Sequence, residues 1–270
     1  MQLKHKRQIL IIGVNSGIGK SLALRYANDD TIVTGTYRSE PSNAIKSIDN
    51  IDLHKLDIVD SISMDNFLGY LYNKKYAWDV VIFSVGTLEP IGNFFDLNFS
   101  QWQRSFSSNF FGQLQLMHSV RKFAKLDSTV IFFSGGSPSG VSPCFSSYNV
   151  AKIGLIKMVE YLDAEDNKVK YTIVGPGWVD TKIHQKTIKA GNNAGSGLDR
   201  TKFFLENTGH STSVDEIYRC IEWVATKSKK IVGGRNFSVV YDSWGSKEGS
   251  NDLEVNLMSD NALFKIQRFS

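Results

Sequence analysis

Residues 8–19 read Gln8-Ile9-Leu10-Ile11-Ile12-Gly13-Val14-Asn15-Ser16-Gly17-Ile18-Gly19, and this stretch decides the fold. The run that ends at Ile12 is almost continuously apolar, which predicts a strand buried on both faces. The glycines that follow allow a tight turn, and residues 20–27 continue in a helical pattern. A helix N-terminus placed after such a turn offers unpaired N–H groups to a pyrophosphate. The stretch therefore predicts a dinucleotide-binding unit.

Strand and helix patterns alternate along the rest of the chain. We expect strands near residues 8–13, 31–36, 52–56, 79–84, 129–134, 169–174 and 236–241, and the longest helix from about Phe99 to Lys125. Such alternation is typical of a parallel sheet covered on both faces. A chain of 270 residues with 41% apolar residues can bury one large core. The predicted fold is α/β, a Rossmann-like doubly wound parallel sheet of about seven strands, in a single domain over residues 1–270.

A second informative stretch surrounds residue 148. An apolar run that ends at Phe133 is followed by a loop of small residues and then by Tyr148-x-x-x-Lys152 at a predicted helix start. Residues four apart share one helix face, so the lysine ammonium can lie near the tyrosine hydroxyl and favour its ionised form. A free tyrosine has a pKa of about 10, roughly three units above neutral pH, so proton transfer needs such help. The pattern predicts a proton-transfer site.

Five motifs, in order along the chain, resemble those of the single-domain short-chain dehydrogenase/reductase family. They are the cofactor turn Gly13-x-x-x-Gly17-Ile18-Gly19, the adenine-side Leu56-Asp57-Ile58, Asn109 in the long helix, the pair Tyr148-x-x-x-Lys152, and the nicotinamide-side loop Pro176-Gly177-x-x-x-Thr181. The resemblance covers nearly the whole chain. It implies a nicotinamide dinucleotide cofactor and an exchange of hydride with a carbonyl or secondary alcohol substrate.

The resemblance also implies a role for each matching residue. Tyr148 is the expected acid/base, Lys152 is expected to lower its pKa and bind the nicotinamide ribose, and Asn109 is expected to hold a water of a proton relay. No metal ligand is expected. The expected cofactor contacts are Gly13, Asn15, Ser16, Gly17, Ile18, Gly19, Tyr37, Arg38, Asp57, Ile58, Ser84, Val85, Gly86, Tyr148, Lys152, Pro176, Gly177, Val179 and Thr181.

Two positions depart from the family pattern. The family's Asn-Asn-Ala-Gly after the fourth strand is Phe83-Ser84-Val85-Gly86 here, which keeps the glycine and loses both asparagines. The family's catalytic serine stands thirteen residues before the tyrosine, and that position is Gly135. Ser134 is the nearest hydroxyl along the chain and Ser137 is the other candidate. Either one is expected to orient the substrate oxygen.

The end of the second predicted strand bears on the choice of cofactor. A carboxylate there would accept hydrogen bonds from a ribose 2′-hydroxyl and repel a 2′-phosphate. The chain instead has Thr36-Tyr37-Arg38, and an arginine can pair with the phosphate while its guanidinium stacks on adenine. Asp57 would then contact the adenine amine, as the resemblance implies. We expect NADP(H) as the cofactor, with NAD(H) as the weaker alternative.

Composition argues against other partners. The net charge is +4, but the basic residues are scattered without interleaved aromatic side chains, so we expect no nucleic-acid partner. No apolar stretch approaches the roughly 20 residues that span a bilayer, so we expect no membrane partner. Cys144 and Cys220 lie in unrelated contexts, which is typical of free thiols in a reducing compartment and predicts the cytoplasm.

The long helix carries more aromatic rings than one buried face needs: Trp102, Phe106, Phe110 and Phe111. Large exposed apolar patches usually mark subunit contacts. Members of the family that this chain resembles commonly assemble through this helix and the helix after Tyr148. We expect a homodimer or homotetramer, and the alternative is that all four rings pack on the sheet.

Two segments near the C-terminus are expected to be loosely held. We expect residues 181–211 to form a flexible lid, and the alternative is a tolerated surface insertion. The glycine-rich segment from Ala190 to Gly197 within this lid is expected to pack poorly. Residues 245–260 of the tail (about 245–270) are polar and are expected to be loose. The apolar side chains expected to dock on the fold or on a neighbouring subunit are Leu263, Phe264, Ile266 and Phe269.

Two rival functions would use parts of the same pattern. A regulator that senses NADPH would keep the glycine turn and Arg38 without a working serine, and the displaced Ser134 favours it. A sugar-nucleotide epimerase or dehydratase also uses Tyr-x-x-x-Lys but needs a larger C-terminal domain than the residues after Pro176 supply. The substrate stays undefined, because the expected pocket lining (residues 137–145, Trp178 and the lid) mixes aromatic and polar residues.

Overall fold

A computed structural model describes residues 6–28, 30–135, 140–245 and 247–267. In these ranges the strands form one parallel sheet in the order β3-β2-β1-β4-β5-β6-β7. Their bounds are β1 (Arg7–Ile12), β2 (Thr31–Tyr37), β3 (Ile51–Lys55), β4 (Trp78–Phe83), β5 (Ala124–Phe133), β6 (Val169–Gly175) and β7 (Arg235–Ser238). The predicted seven-stranded, Rossmann-like α/β fold is confirmed.

Helices cover both faces of this sheet. The α-helices within the described ranges are α1 (Gly17–Tyr26), α2 (Asn43–Lys46), α3 (Ser61–Asn73), α4 (Phe99–Phe106), α5 (Gly112–Val120), α6 (Ser146–Glu165), α7 (His184–Ala190), α8 (Ser196–Glu206), α9 (Val214–Thr226), α10 (Lys229–Val232) and α11 (Ser250–Ser259). None of these helices is both long enough and apolar enough to be a candidate membrane span.

The apolar run in β1 is explained by its place at the centre of the sheet. Ile9 and Ile11 face a core cluster that includes side chains of α1 and α9. Leu10 and Ile12 point to the opposite face, where the cluster includes side chains of α3, α5 and α6. Successive side chains of a strand alternate between faces, so a strand covered on both sides has no polar face.

The long helix predicted from Phe99 to Lys125 is divided in the structure. A π-helical turn at Ser107–Phe111 separates α4 from α5, and the Gly112 N–H donates to the Ser107 carbonyl five residues back. A short 3₁₀ turn then leads into β5, which begins at Ala124, so the helix ends earlier than predicted. π turns inside helices are frequent at functional sites, and this one contains Asn109.

Part of the C-terminal region is helical and held to the fold, whereas the sequence predicts a loose segment at residues 245–260. The buried guanidinium of Arg235 in β7 donates hydrogen bonds of 2.6–3.0 Å to the carbonyls of Leu257, Asp260 and Leu263. Because Arg235 lies outside the tail, the polar composition of the tail does not reveal these hydrogen bonds. Leu263 and Phe264 pack against the core as expected, Ile266 is 39% exposed, and Phe269 lies outside the described residues.

The glycine-rich segment from Ala190 to Gly197 is also packed, contrary to the expectation from its composition. It forms a 3₁₀ turn and the start of α8, and Ala194 is fully buried in a cluster with Ile91 and Phe145. Small residues allow close approach here, because Gly197 lies directly against the Phe145 ring. Opening of residues 181–211 as a lid stays a prediction.

Candidate active site

The predicted site residues gather at the carboxyl ends of the central strands. The glycine turn follows β1, Arg38 follows β2, Ser84 follows β4, Ser134 follows β5 and Pro176 follows β6. Open α/β sheets bind ligands at this edge, where the strand order reverses. The reversal lies between β1 and β4 in this chain, so the glycine turn and the segment after β4 are neighbours.

The glycine turn forms a cradle, and its three glycines have no room for side chains of their own. Gly13 has a φ of +96°, and a Cβ there would lie 2.6 Å from Val85 Cγ1 and 2.9 Å from the Ser84 carbonyl oxygen. A Cβ on Gly19 would collide with the Gly13 carbonyl oxygen, and one on Gly17 would lie 2.7 Å from Thr181 Cβ. The turn therefore meets both the segment after β4 and the nicotinamide-side loop after β6.

The N-terminus of α1 is capped and points into this cradle. The Ser16 hydroxyl accepts the Gly19 N–H at 2.9 Å and forms a 2.7 Å hydrogen bond with the Ser84 hydroxyl. Ser84 stands where the family pattern has an asparagine, so a serine hydroxyl makes the contact with the turn at this position. The first N–H groups of a helix lack partners within it and favour an anion. Cradle and cap together fit the pyrophosphate of a nicotinamide dinucleotide.

The adenine-side residues lie around the ends of β2 and β3. Arg38 is exposed directly after β2, and the Asn15 side chain donates to the carbonyls of Ser39 and of Glu40, the latter at 3.1 Å. Asn15 thus ties the loop that carries Arg38 to the glycine turn. Asp57 accepts the Val59 N–H at 3.1 Å through one carboxylate oxygen.

Asn109 holds the segment after β4 in place. It is fully buried; its Oδ1 accepts the Thr87 N–H at 2.9 Å, and its Nδ2 donates to the Thr87 carbonyl at 2.8 Å and to the Ser105 hydroxyl at 3.2 Å. A Cβ on Gly86 would lie 3.1 Å from Asn109 Oδ1 and 3.9 Å from Lys152 Nζ. Asn109 and Lys152 are therefore brought together around Gly86, as the resemblance implies.

Gln113 is a site residue that reading the sequence missed. Its fully buried amide donates to the Asn109 carbonyl at 2.8 Å, and its Oε1 has no hydrogen-bond partner in the described part of the chain. The available signal was a glutamine four residues after the asparagine in an otherwise apolar stretch. Gln113 follows the π turn, which the sequence did not predict.

Tyr148 and Lys152 lie in the first two turns of α6. Lys152 is 3% exposed, its Nζ donates to the Phe133 carbonyl at 2.9 Å, and Nζ lies 5.8 Å from the centroid of the Tyr148 ring. Burial lowers the pKa of Lys152 to about 8 and raises the pKa of Tyr148 to about 12. The sequence predicts that the lysine lowers the pKa of the tyrosine, but in this structure burial of the phenol raises it. The phenol is therefore protonated at neutral pH.

Ser134 and Gly135 follow β5 and face different neighbours. Ser134 is buried, and a Cβ on Gly175 would lie 3.1 Å from its Oγ, so the hydroxyl faces the end of β6. Gly135 is the residue that faces the Tyr148 ring. Both residues are among those described, and no hydrogen bond joins Ser134 to Tyr148. The other candidate, Ser137, lies outside the described residues.

Two aromatic rings of the expected lid pack against Trp178. The Trp178 ring stacks on His184 with centroids 5.3 Å apart, and Phe204 contacts both rings at 5.0 Å. Lys186 of α7 forms a 2.7 Å salt bridge with Glu89 in the segment after β4. A cleft of about 560 Å³ lies between α7, α4 and that segment. His184 and Phe204 are further residues that reading the sequence did not single out.

Comparison with known proteins places the chain in a family. The description of the matching family model is short chain dehydrogenase, and the match spans residues 7–192. The chain belongs to the short-chain dehydrogenase/reductase family, as the five motifs predicted. It is an oxidoreductase of this family, whose members bind a nicotinamide cofactor.

Relatives and solved structures agree with this assignment. An uncharacterized oxidoreductase of Schizosaccharomyces pombe is 24% identical over 236 residues, which cover 85% of this chain and 95% of that protein. The crystal structure of a short-chain dehydrogenase/reductase from Saccharomyces cerevisiae has a TM-score of 0.76 at 23% identity, covering 87% of this chain and 96% of that one. The structure of an ElxO variant with NADPH bound has a TM-score of 0.69 at 19% identity, covering 87% and 97%.

The buried charge of Lys152 predicts a pH dependence of stability. Its pKa is about 8 in the folded protein and 10.5 in the ordinary exposed state, so the unfolded chain binds more protons between these two pH values. The stability that Lys152 contributes to the folded protein is therefore fully present above pH 10.5 and is lost as the pH falls through 8. Relative to Lys152→Met, the unfolding free energy of the wild type should rise by about 3 kcal/mol across this window.

Urea denaturation at several pH values between 7 and 10.5 measures this difference. Lys168→Met is the control, because Lys168 is exposed just before β6, at the opposite edge of the sheet. The control should follow the wild type. Parallel pH curves for the wild type and Lys152→Met would contradict burial of a titrating ammonium.

Proposed function

We propose that this protein is an NADP(H)-dependent reductase of a carbonyl compound, or in the reverse direction a dehydrogenase of a secondary alcohol. The observation that carries the proposal is the pair of Tyr148 and the buried Lys152 beside the end of β5, next to a cradle that fits a dinucleotide. A bound nicotinamide would supply the hydride that reaches the carbonyl carbon. We also propose that residues 1–270 form one domain that carries both parts of the site.

Tyr148 acts as the general acid in the direction of reduction. Its phenol is protonated at neutral pH and donates its proton to the carbonyl oxygen as that oxygen gains negative charge. The Lys152 ammonium, fixed by the Phe133 carbonyl, stabilises the phenolate that results and binds the nicotinamide ribose. Asn109 holds Thr87, the residue after Gly86, and supports the relay that returns a proton. Ser134 or Ser137 orients the substrate oxygen.

The preference for NADP(H) is supported by the end of β2. Arg38 follows the strand directly, is exposed, and lies on a loop that Asn15 ties to the glycine turn. A guanidinium in this place can pair with a 2′-phosphate and stack on adenine. The ElxO variant of the same fold has NADPH bound.

A second candidate function is an NADPH-sensing regulator. One observation favours it: the position of the family's catalytic serine is Gly135, so one hydroxyl of the family pattern is missing. A sensor would bind NADPH without turning over any carbonyl compound. Turnover therefore separates the two functions.

Loss of NADPH absorbance across a panel of carbonyl compounds tests the proposed reaction. Tyr148→Phe should lower kcat by roughly 100-fold or more, because the proton donor is removed, while NADPH affinity stays the same. Tyr161→Phe is the matched control, since Tyr161 lies on the same helix with a largely exposed ring. Tight NADPH binding without turnover of any compound in the panel would contradict the reductase and favour the sensor.

Arg38→Glu tests the cofactor preference. The variant should lose NADPH affinity by roughly 10-fold or more, because a charge-assisted hydrogen bond to the phosphate is replaced by repulsion. NADH affinity should change far less. Lys168→Glu makes the same charge change at the opposite edge of the sheet and should leave both affinities unchanged. Equal losses for the two cofactors, measured by fluorescence titration, would argue against a 2′-phosphate site at Arg38.

We also propose that the protein assembles as a homodimer or homotetramer through the aromatic face of α4, the π turn and α5. Phe99 and Phe111 are 57% and 59% exposed, so the rings on this face are not all core. The ring of Phe106 contacts those of Trp102 and Phe111, with centroids 5.3 Å and 5.5 Å apart. A continuous row of rings that is partly open to solvent is typical of a subunit contact.

Light scattering coupled to size-exclusion chromatography tests this assembly. Phe111→Glu should shift the protein from an oligomer to a monomer, because a carboxylate would be buried in an apolar contact. Tyr72→Glu is the control on α3, where the replaced ring is also exposed. A monomeric wild type, or an unchanged mass for Phe111→Glu, would contradict the interface.

The cytoplasm is the proposed location. Cys144 and Cys220 are both unpaired in the structure, which is typical of a reducing compartment. The proposed partners are a small carbonyl or alcohol substrate and further copies of the chain.

A further inference from the structure

Gly135 occupies the place of a serine in the family pattern, and it faces the tyrosine proposed as the general acid. A Cβ at this position would lie 2.7 Å from Cζ and 2.8 Å from Cε1 of Tyr148, and closer still to the phenol oxygen. Real Cβ atoms essentially never come within 3.0 Å of such atoms. The phenol end of Tyr148 thus fills the volume that any side chain at position 135 would need.

The backbone of Gly135 does not itself require glycine. Its φ lies outside the left-handed region, unlike the φ of Gly13 at +96°. A residue with a side chain could adopt this backbone conformation without strain. The requirement for glycine at position 135 therefore comes from the contact with Tyr148.

Both sides of this contact are fixed by other parts of the fold. The first turn of α6 is joined to α4, since Trp102 Nε1 donates to the Ser146 hydroxyl at 3.0 Å and the buried Ser147 hydroxyl donates to Ser105 Oγ at 3.1 Å. On the other side, the Ser134 N–H donates to the Val174 carbonyl at 3.0 Å. With the strand end before Gly135 and the first turn of α6 both held, the Tyr148 ring is the group that a side chain at position 135 would meet.

We propose that Gly135 is a positioning residue for Tyr148: its bare Cα seats the phenol at the end of β5, and a serine in its place would unseat it. This role rests on the proposed function of Tyr148 as the general acid. The departure from the family pattern is then part of a working site, in which position 135 offers no hydroxyl to the substrate. Installing the serine of the family pattern should impair the enzyme.

A double-mutant cycle tests the seating without any substrate. Gly135→Ala should lower the melting temperature in the wild-type background and have little effect in a Tyr148→Ala background, where the ring is absent. If Gly135→Ala alone fails to fold, it should fold when combined with Tyr148→Ala. Gly69→Ala is the control in α3, because a Cβ there meets no atom within 4 Å. An equal loss, or a failure to fold, in both backgrounds would overturn the proposal.

The ionisation of Tyr148 gives a spectroscopic signature of the same seating. The charged group that faces the ring is Lys152, and burial is what raises the pKa of the phenol to about 12. With tyrosine labelled at ¹³Cζ and Tyr148→Phe used for assignment, the wild-type signal at about pH 10.5 should be that of the protonated phenol. In Gly135→Ala and Gly135→Ser the ring should move toward solvent, so its signal should shift toward that of the phenolate. Unchanged signals in both variants would contradict the proposal.

Turnover connects the seating to function. Gly135→Ser and Gly135→Ala should both lower kcat by roughly 10-fold or more while NADPH affinity is retained, since the proton donor is displaced and the dinucleotide cradle is not. A Gly135→Ser enzyme as fast as the wild type, or faster, would show that the glycine is merely a lost serine. If the wild type turns over no carbonyl compound, the proposed function fails, but the melting cycle and the phenol signal still decide whether Gly135 seats Tyr148.

Discussion

The hydrogen bond from Lys152 Nζ to the Phe133 carbonyl is the interaction on which the rest of the site depends. It joins α6 to the last residue of β5, and so it sets the helix face that carries Tyr148 against the loop that carries Gly135. A buried ammonium is tolerated only with a partner, and here the exposed fraction of the lysine is 3%. Its lowered pKa is the price of keeping a cation inside the protein. Strongly perturbed pKa values of this kind cluster at functional sites.

The strand order decides which segments can meet around this bond. Because β1 and β4 are neighbours, the glycine turn packs on Ser84 and Val85, although about 70 residues separate them along the chain. The hydrogen bonds between Asn109 and Thr87 then link the segment after β4 to the π turn, and Gly86 lies between Asn109 and Lys152. The loops after β1, β4 and β5 thus bring the dinucleotide cradle and the proposed proton donor to the same end of the sheet.

Local patterns were enough to predict the sheet, the glycine turn and the Tyr148–Lys152 pair. Apolar runs and turn residues encode these elements within a few residues of chain, so they can be read without knowledge of the tertiary contacts. The helix end before β5 was placed too late, because a π turn and a 3₁₀ turn interrupt the pattern.

What could not be predicted depends on contacts between distant residues. The helix in the tail is held by Arg235, which lies in β7, and the buried Gln113 donates to the carbonyl of Asn109 in the π turn. The direction of the Tyr148 pKa shift is set by burial of the phenol, and burial depends on the packed structure. Sequence spacing showed which residues would meet, but not how deeply they would be enclosed.

Deuterium transfer from NADPH that carries deuterium at both hydrogen positions of the nicotinamide C4 would test the central claim most directly, namely that Tyr148 and Lys152 complete a reductase site. With a carbonyl compound that the wild type consumes, we predict deuterium on the carbinol carbon of the product and almost none after the same time with Tyr148→Phe. Consumption of the carbonyl compound with no deuterium in its product would contradict this claim. Equal transfer by the wild type and Tyr148→Phe would contradict the role of the tyrosine.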